Sequence, residues 1–308
     1  MKEFIKNSLS SFFPLNLIKF NYNPILLYHS LGTNSKFIDN IDHVDLEILE
    51  TQLKNIQKYW KFVSIDEYTE SNNKKGLASL TIDDGYKNVI DEALLIFENL
   101  NIPFTIFINS STLEGKTFWR DKIRYLIEKN MVEKFINSST LFKKNHIEKF
   151  YYITKDPKFN SIEVEKEIDK FIFKENLEVN SSHKFCFDNN KYFIKHPLVS
   201  YGNHTASHYV LSSLSSQEQY QEIVQCKNFI DKLQINKSNV FSVPFGGDQS
   251  FNNETLSILN DLNYINILKS TNNLDNVSSS NQINRFMPKE YSIEKTIKKL
   301  YLKKIIKG

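Results

Sequence analysis

Leu77-Ala78-Ser79-Leu80-Thr81-Ile82-Asp83-Asp84-Gly85 decides how this chain is read. The first six residues form an apolar, strand-like run, and the strand delivers two carboxylates at its end. A second such run, Leu198 to Gly202, is followed closely by His204-Thr205-Ala206-Ser207-His208. Strand ends are where parallel-sheet and barrel proteins collect their chemistry.

Working outward, the alternation of strands and helices continues on both sides. Ile25-Leu26-Leu27-Tyr28 predicts a buried strand ending at His29. Leu46, Leu49, Leu53, Ile56 and Trp60 recur at three- and four-residue steps, which is the helical period. Phe62 to Ile65 predicts a strand, Val89, Ala93, Ile96 and Leu100 one face of a helix, and Pro103 to Ile108 another strand. From about 115 to 197 the pattern changes to Lys, Glu, Asn and aromatics, with helical stretches at 119–127 and 162–173. A structureless loop of that length is improbable, so a partly helical insertion packed over or beside the barrel mouth is expected. Beyond it, Ser215 and Glu218 form a capping box opening a helix that runs to about Leu233. Val240–Val243, Tyr264–Leu268 and Ile283–Met287 read as strands, with a helix over 254–262. Repeated β-then-α units imply a parallel sheet, and this many suggest closure into a barrel.

The bulk properties narrow the field. The 308 residues suit one α/β barrel: a short segment over 1–22, then a single domain over 23–308 carrying the insertion. A formal net charge of +3 is too small to argue for nucleic acid. Two cysteines, Cys186 and Cys226, imply no disulfide framework and fit a reducing compartment. Pro14 and Asn16 interrupt the apolar N-terminal stretch, which makes a poor leader and is too short to span a membrane. A cytoplasmic location follows as the expectation. The lysine-rich amphipathic helix from Ser292 reads as docked on the body; contact with the inner face of a membrane is the alternative. Oligomeric state has no signature in the sequence. Arginine is scarce, occurring only as Arg120, Arg124 and Arg285, a weak sign that a planar fork is needed at those points.

Asp-Asp-Gly after a strand also has a plain reading as a turn capping the helix near Lys87. The functional reading uses both carboxylates. Neighbours on an extended chain point to opposite sides, so one can hold a metal while the other addresses a water. His204 and His208, in a loop or single turn, make a ligand pair the better reading. His43, His146, His183 and His196 have no such context and read as structural or exposed. Catalytic zinc takes three protein ligands and keeps one position open. Asp84, His204 and His208 fill that set, and Asp83 is the candidate general base.

Thr81-Ile82-Asp83-Asp84-Gly85, His204–His208 and Val243-Pro244-Phe245-Gly246 together resemble the polysaccharide deacetylases, the carbohydrate esterases of the NodB-homology type. The resemblance runs from about Pro24 to Pro288, less most of the insertion, and implies a distorted (β/α)7 TIM-like barrel that removes N-acetyl groups from amino sugars. By position, Asp83 resembles the base, and Asp84, His204 and His208 the ligands of a divalent metal, Zn2+ foremost. The backbone N–H of Phe245 resembles the oxyanion donor. Two departures stand out. Ser242 and Val243 occupy the region where many members carry a base-orienting arginine, and Arg285 on the last strand is a candidate substitute. No histidine follows His208, so the usual C-terminal general acid is missing. The exopolysaccharide branch uses a Tyr-His motif near the N-terminus instead, and Leu27-Tyr28-His29 resembles it, implying His29 as the acid. Trp119 and Asp121 resemble an aromatic-acidic stretch of that branch. The expected function is a metal-dependent N-deacetylase acting on a polysaccharide or lipid-linked glycan. An inactive carbohydrate-binding relative and a hydrolase of a non-sugar amide C–N bond are the alternatives.

Overall fold

The computed structural model describes residues 22–33, 42–179, 184–271, 281–288 and 297–298. The segment expected over 1–22 lies outside them except for Tyr22. So does the expected C-terminal helix except for 297 and 298, of which Ile297 is buried.

Eight parallel strands form the main sheet: β1 (Ile25–Tyr28), β4 (Lys61–Val63), β5 (Leu77–Ile82), β6 (Phe104–Ile108), β7 (Val199–Asn203), β8 (Lys237–Ser242), β9 (Ile267–Lys269) and β10 (Gln282–Asn284). The order around the sheet is β1-β5-β6-β7-β8-β9-β10, with β4 off this path, pairing Leu77–Ser79 of β5 on the edge opposite β1. Just past β10, Phe286 exchanges backbone hydrogen bonds with β1: Leu27 N–H donates to its carbonyl at 2.9 Å, and its own N–H donates to Ile25 at 3.1 Å. The sheet therefore nearly closes into a barrel. Apolar residues on both strand faces make this possible, since β6 is buried at every position and both sides of a parallel sheet must be covered.

A small sheet pairs β2 (Ser30–Gly32) with β3 (His43–Asp45), elements too short for a sequence pattern to reveal. Helices α1 (Leu46–Gln57), α2 (Ile65–Glu70) and α3 (Leu94–Leu100) follow, the last extending a π-helical turn at Val89–Ala93. The strand expected through Ile65 stops at Val63. Ser64 caps α2 instead, its hydroxyl accepting the Glu67 N–H at 3.1 Å. Asp66 of α2 accepts the Asn239 N–H near the start of β8, and Tyr68 donates to Asn23 O just before β1. Thus α2 plugs the barrel where the strands begin and leaves the opposite rim for chemistry. Ile25, Val63, Ile65, Tyr68, Phe107, Val240, Leu268 and Ile283 pack together in the interior behind it.

The insertion folds mainly as helices: α4 (Trp119–Glu128), α5 (Val132–Ser138), α6 (Phe150–Ile153) and α7 (Ser161–Lys174). Phe135 packs edge-on against Phe150 and Phe171, with ring centroids 5.6 and 5.4 Å away. These aromatics are continuous with the barrel's larger core, which ties the helices to the barrel. After β7, helix α8 (Ser216–Asp231) begins with the capping box read from the sequence: Glu218 Oε2 accepts the Ser215 N–H at 2.8 Å. Helix α9 (Asn253–Asp261) precedes β9.

Candidate active site

Asp83, Asp84, His29, His204, His208 and Phe245 all line one cavity of ≈ 240 Å³ at the rim where the strands end. The two carboxylates reach it by a route that strand alternation does not describe. Asp84 is not extended: its φ is +70°, and Gly85 follows at +65°. The left-handed turn brings Asp84 back beside Asp83 in the same cavity. His208 (φ +59°) and Phe245 (φ +62°) are left-handed too. Non-glycine residues adopt this conformation at a cost, and such strain clusters where side chains must be aimed.

The histidine loop is held by the elements beneath it. His204 N–H donates to Ile108 O at 3.1 Å, and Asn109 donates to His204 O at 2.6 Å. Glu222 of α8 accepts the Ser207 N–H at 2.7 Å. The Trp119 indole donates to His208 O at 3.1 Å, so the insertion also clamps the loop. Past β8, Gly246 turns at φ +63°, where a Cβ would lie 2.4 Å from Ser270 N; only glycine fits that approach.

Asp84 Oδ1 lies 3.3 Å from His208 Nε2 and 3.5 Å from His204 Nε2. Ligand atoms around a tetrahedral zinc, each about 2.0–2.1 Å from the ion, are about 3.3–3.4 Å apart. All three ligand atoms lie within 4.8 Å of one another, and all three residues are buried. His204 Nδ1 is 2.8 Å from Ser242 O, which assigns the proton to that nitrogen and leaves the Nε2 lone pair facing Asp84. Asp84 Oδ1 is buried without a hydrogen-bond partner among the described residues. The donor set fits a divalent cation.

The electrostatics agree with that fit. Burial disfavours the Asp84 anion, but His208, His204 and His29 outweigh burial and hold its carboxyl well below the ordinary range. Burial pushes His208 down to about 3, against the pull of Asp84, so its imidazole is neutral and able to ligate. His204 is also desolvated, yet Asp83 and Asp84 raise it, a sign that the two carboxylates call for positive charge between them.

Asp83 is differently placed. Arg285 grips it with two parallel hydrogen bonds, Nη1 to Oδ1 at 2.8 Å and Nη2 to Oδ2 at 2.7 Å. Ser242 Oγ approaches the same oxygens at 3.2 and 3.1 Å. Burial opposes ionisation of Asp83, but Arg285, then His204 and His29, hold its carboxyl below the usual value. His29 lies between β1 and β2, with Nδ1 buried and no hydrogen-bond partner among the described residues.

Several lining residues carry no motif. Arg120, Arg124, Tyr151 and Lys155 come from the insertion, and Tyr86 follows the Asp-Asp-Gly turn. Asp121 does not line this cavity; it is buried, bonded to Arg124 at 2.8 Å, and burial pushes its carboxyl up to about 6. Scarcity had singled out the three arginines, all of which are buried at or beside the site. Nothing in the local sequence marks Tyr151 or Lys155. The other histidines lie elsewhere: His43 bonds Ser30, His146 caps a short helix, His196 lies beside Glu98, and His183 is outside the described residues.

Comparison with known proteins adds three findings. A family model described as polysaccharide deacetylase matches residues 190–267, the stretch holding the histidine loop and the Val243–Gly246 turn. No curated protein matches the chain. Among solved structures, the chain resembles IcaB from Ammonifex degensii (13% identity, TM-score 0.54), covering 90% of this chain and 95% of that one. It likewise resembles the Streptococcus pyogenes deacetylase PplD, solved with acetate (17% identity, TM-score 0.52), covering 87% and 92%. At these identities the structural likeness speaks for the barrel fold, and the family match bears out the resemblance read from the motifs.

Proposed function

We propose that this chain, as a relative of the polysaccharide deacetylases, hydrolyses the N-acetyl group of an amino sugar in a glycan. The observation that carries the reading is the meeting of Asp83, Asp84, His204 and His208 in one cavity, with Asp83 kept ionised by the Arg285 fork. Asp84, His204 and His208 would hold a divalent cation, zinc by its donor types, which supplies Lewis acidity to the acetamide carbonyl and to a water.

The remaining roles belong to the chain itself. Asp83, ionised and buried, takes the proton from the attacking water. Arg285 and Ser242 hold its carboxylate in one orientation. The Phe245 N–H is the candidate donor to the oxygen that gains charge as water adds to the acetamide carbon. His29 protonates the departing amine, and acetate leaves. The inactive-relative reading rests on the absent C-terminal histidine and the unusual third motif, which lacks an arginine before Pro244. Arg285 reaches Asp83 from the strand end after β10, which supports the active reading on the second count, and His29 is the proposed acid on the first.

The test is acetate release from a panel of N-acetylhexosamine glycans, with metal analysis of wild type and His204→Ala. Release by the wild type, with metal and activity both lost in the variant, is expected. Release that persists in a metal-poor His204→Ala protein would overturn the proposal.

A further inference from the structure

The cavity has a second wall, and its charge is opposite to that of the metal cluster. Arg120 and Arg124 of α4 and Lys155, just past α6, all face the same space. Arg120 and Arg124 are only 2% and 4% exposed. Arg120 Nη1 donates to Thr154 Oγ1 at 2.9 Å and Nη2 to Tyr151 O at 3.0 Å. Its guanidinium stacks 4.5 Å from the Tyr151 ring and 4.8 Å from the Trp119 ring. These contacts orient the cation and bring it no negative charge. Arg124 is paired with Asp121 through Nη1 and lies 3.5 Å from the Tyr151 hydroxyl through Nη2, while its buried Nε has no hydrogen-bond partner among the described residues. The Tyr86 hydroxyl, also buried in the wall, has none among them either. Asp83 is held by Arg285, Asp121 by Arg124, and Asp84, which also acts on Arg120 and Arg124, is the candidate metal ligand; the carboxylate acting most on Lys155 is Asp42 on the exposed rim.

An excess of buried cations is expensive unless an anion completes it. A neutral sugar would be recognised by stacking and hydroxyl hydrogen bonds and has no use for three cations. The wall is also close to the reaction centre. The Phe245 ring touches both sides, with His208 4.5 Å away and Arg120 5.5 Å away. We infer that this wall receives a negatively charged group of the substrate, a phosphate or a carboxylate, on the N-acetylated sugar or its immediate neighbour. The inference rests on the deacetylase reading above and names its substrate class. The unpartnered Arg124 Nε and Tyr86 hydroxyl are the donors that the anion satisfies. Burial and the neighbouring Arg120 hold the Lys155 ammonium below its ordinary value, the mark of cation crowding that an anion would relieve.

The test uses three ligands built on N-acetylglucosamine: a neutral methyl glycoside, a phosphodiester-linked form and a glucuronate-linked disaccharide. Acetate release is measured with the metal-loaded protein, and affinity by calorimetric titration of metal-free protein. One anionic ligand should bind about tenfold more tightly than the methyl glycoside, the gain appearing in KM rather than kcat. Lys155→Met and Arg124→Lys should each cut that preference several-fold; the second keeps the charge and loses the Nε donor. Equal affinity for all three ligands, or a preference unchanged in both variants, overturns the anion site and leaves deacetylation standing. An anion preference in titration without acetate from any ligand strikes the deacetylase reading and upholds the anion site. The stronger of the two anionic ligands identifies the source of the charge.

Discussion

The barrel rim and the insertion wall meet in one cavity but are built on different terms. The rim presents carboxylates and imidazoles on strand ends, with left-handed backbone at Asp84 and His208 and hydrogen bonds to Ile108, Asn109, Ser242 and Glu222 beneath. The wall presents two arginines of α4, Tyr151 of α6 and Lys155 just past it. Rim geometry is set by closure of the sheet, so its atoms lie within a few ångströms of where bond-making requires them. Wall geometry is set by helix packing, which can vary without disturbing the rim. On the proposed reading, bond cleavage and substrate choice belong to separate parts of the fold, joined by direct hydrogen bonds such as the Trp119 indole to His208 O and the Val210 N–H to Ser161 Oγ.

The largest expected effect lies on the rim. Asp83→Asn should lower acetate release about 10³-fold while leaving bound metal unchanged, because only the proton acceptor is lost. Full activity in that variant would remove Asp83 from the chemistry. Next, Arg285→Met leaves a buried carboxylate unpaired and should cost about 3–5 kcal/mol in denaturant unfolding. It should also shift the acidic limb of the kcat/KM profile to higher pH, since Arg285 is what depresses Asp83. An unmoved limb would mean that Arg285 serves only stability.

Glu222, beneath the histidine loop, tests how far the rim depends on its support. Burial pushes its carboxyl up to about 7 from 4.5. Between those values the folded chain binds a proton that the unfolded chain has released. Stability should therefore fall as pH rises from about 4.5 to about 7, by at most about 3 kcal/mol. Glu222→Gln should flatten that part of the curve, measured as unfolding midpoint against pH. The smallest effect belongs to the link between the regions. Trp119→Phe removes the indole donor to His208 O and should cost about 1 kcal/mol. It should lower metal affinity more than it lowers overall stability; the reverse order would reduce Trp119 to a packing residue.

Much of the rim was legible because strand, turn and ligand pair each have a local pattern. Leu77–Ile82 is a strand in the structure as in the sequence, and the Ser215 capping box forms as read. The alternation argument for Asp83 and Asp84 did not describe how they converge, since it assumes extended backbone and Asp84 is left-handed. The wall was nearly illegible. Rarity flagged Arg120 and Arg124, but a single residue type carries no direction, and Lys155 is one lysine among many. The contact between Arg285 and Asp83 was nameable only as a candidate, because the two lie about two hundred positions apart.

By itself the sequence determined the parallel α/β plan, the two strand-end motifs and the donor types suited to a divalent cation. Those properties follow from hydrophobic period, turn chemistry and coordination preference, all of which act over a few residues. Tertiary structure alone decided that Arg285 forks Asp83, that Asp84 folds back beside it, and that three cations from a helical insertion line the same cavity as Asp84, His204 and His208. Side-chain contacts between distant segments arise from sheet closure and helix docking, whose geometry is a property of the whole packed core rather than of any short stretch.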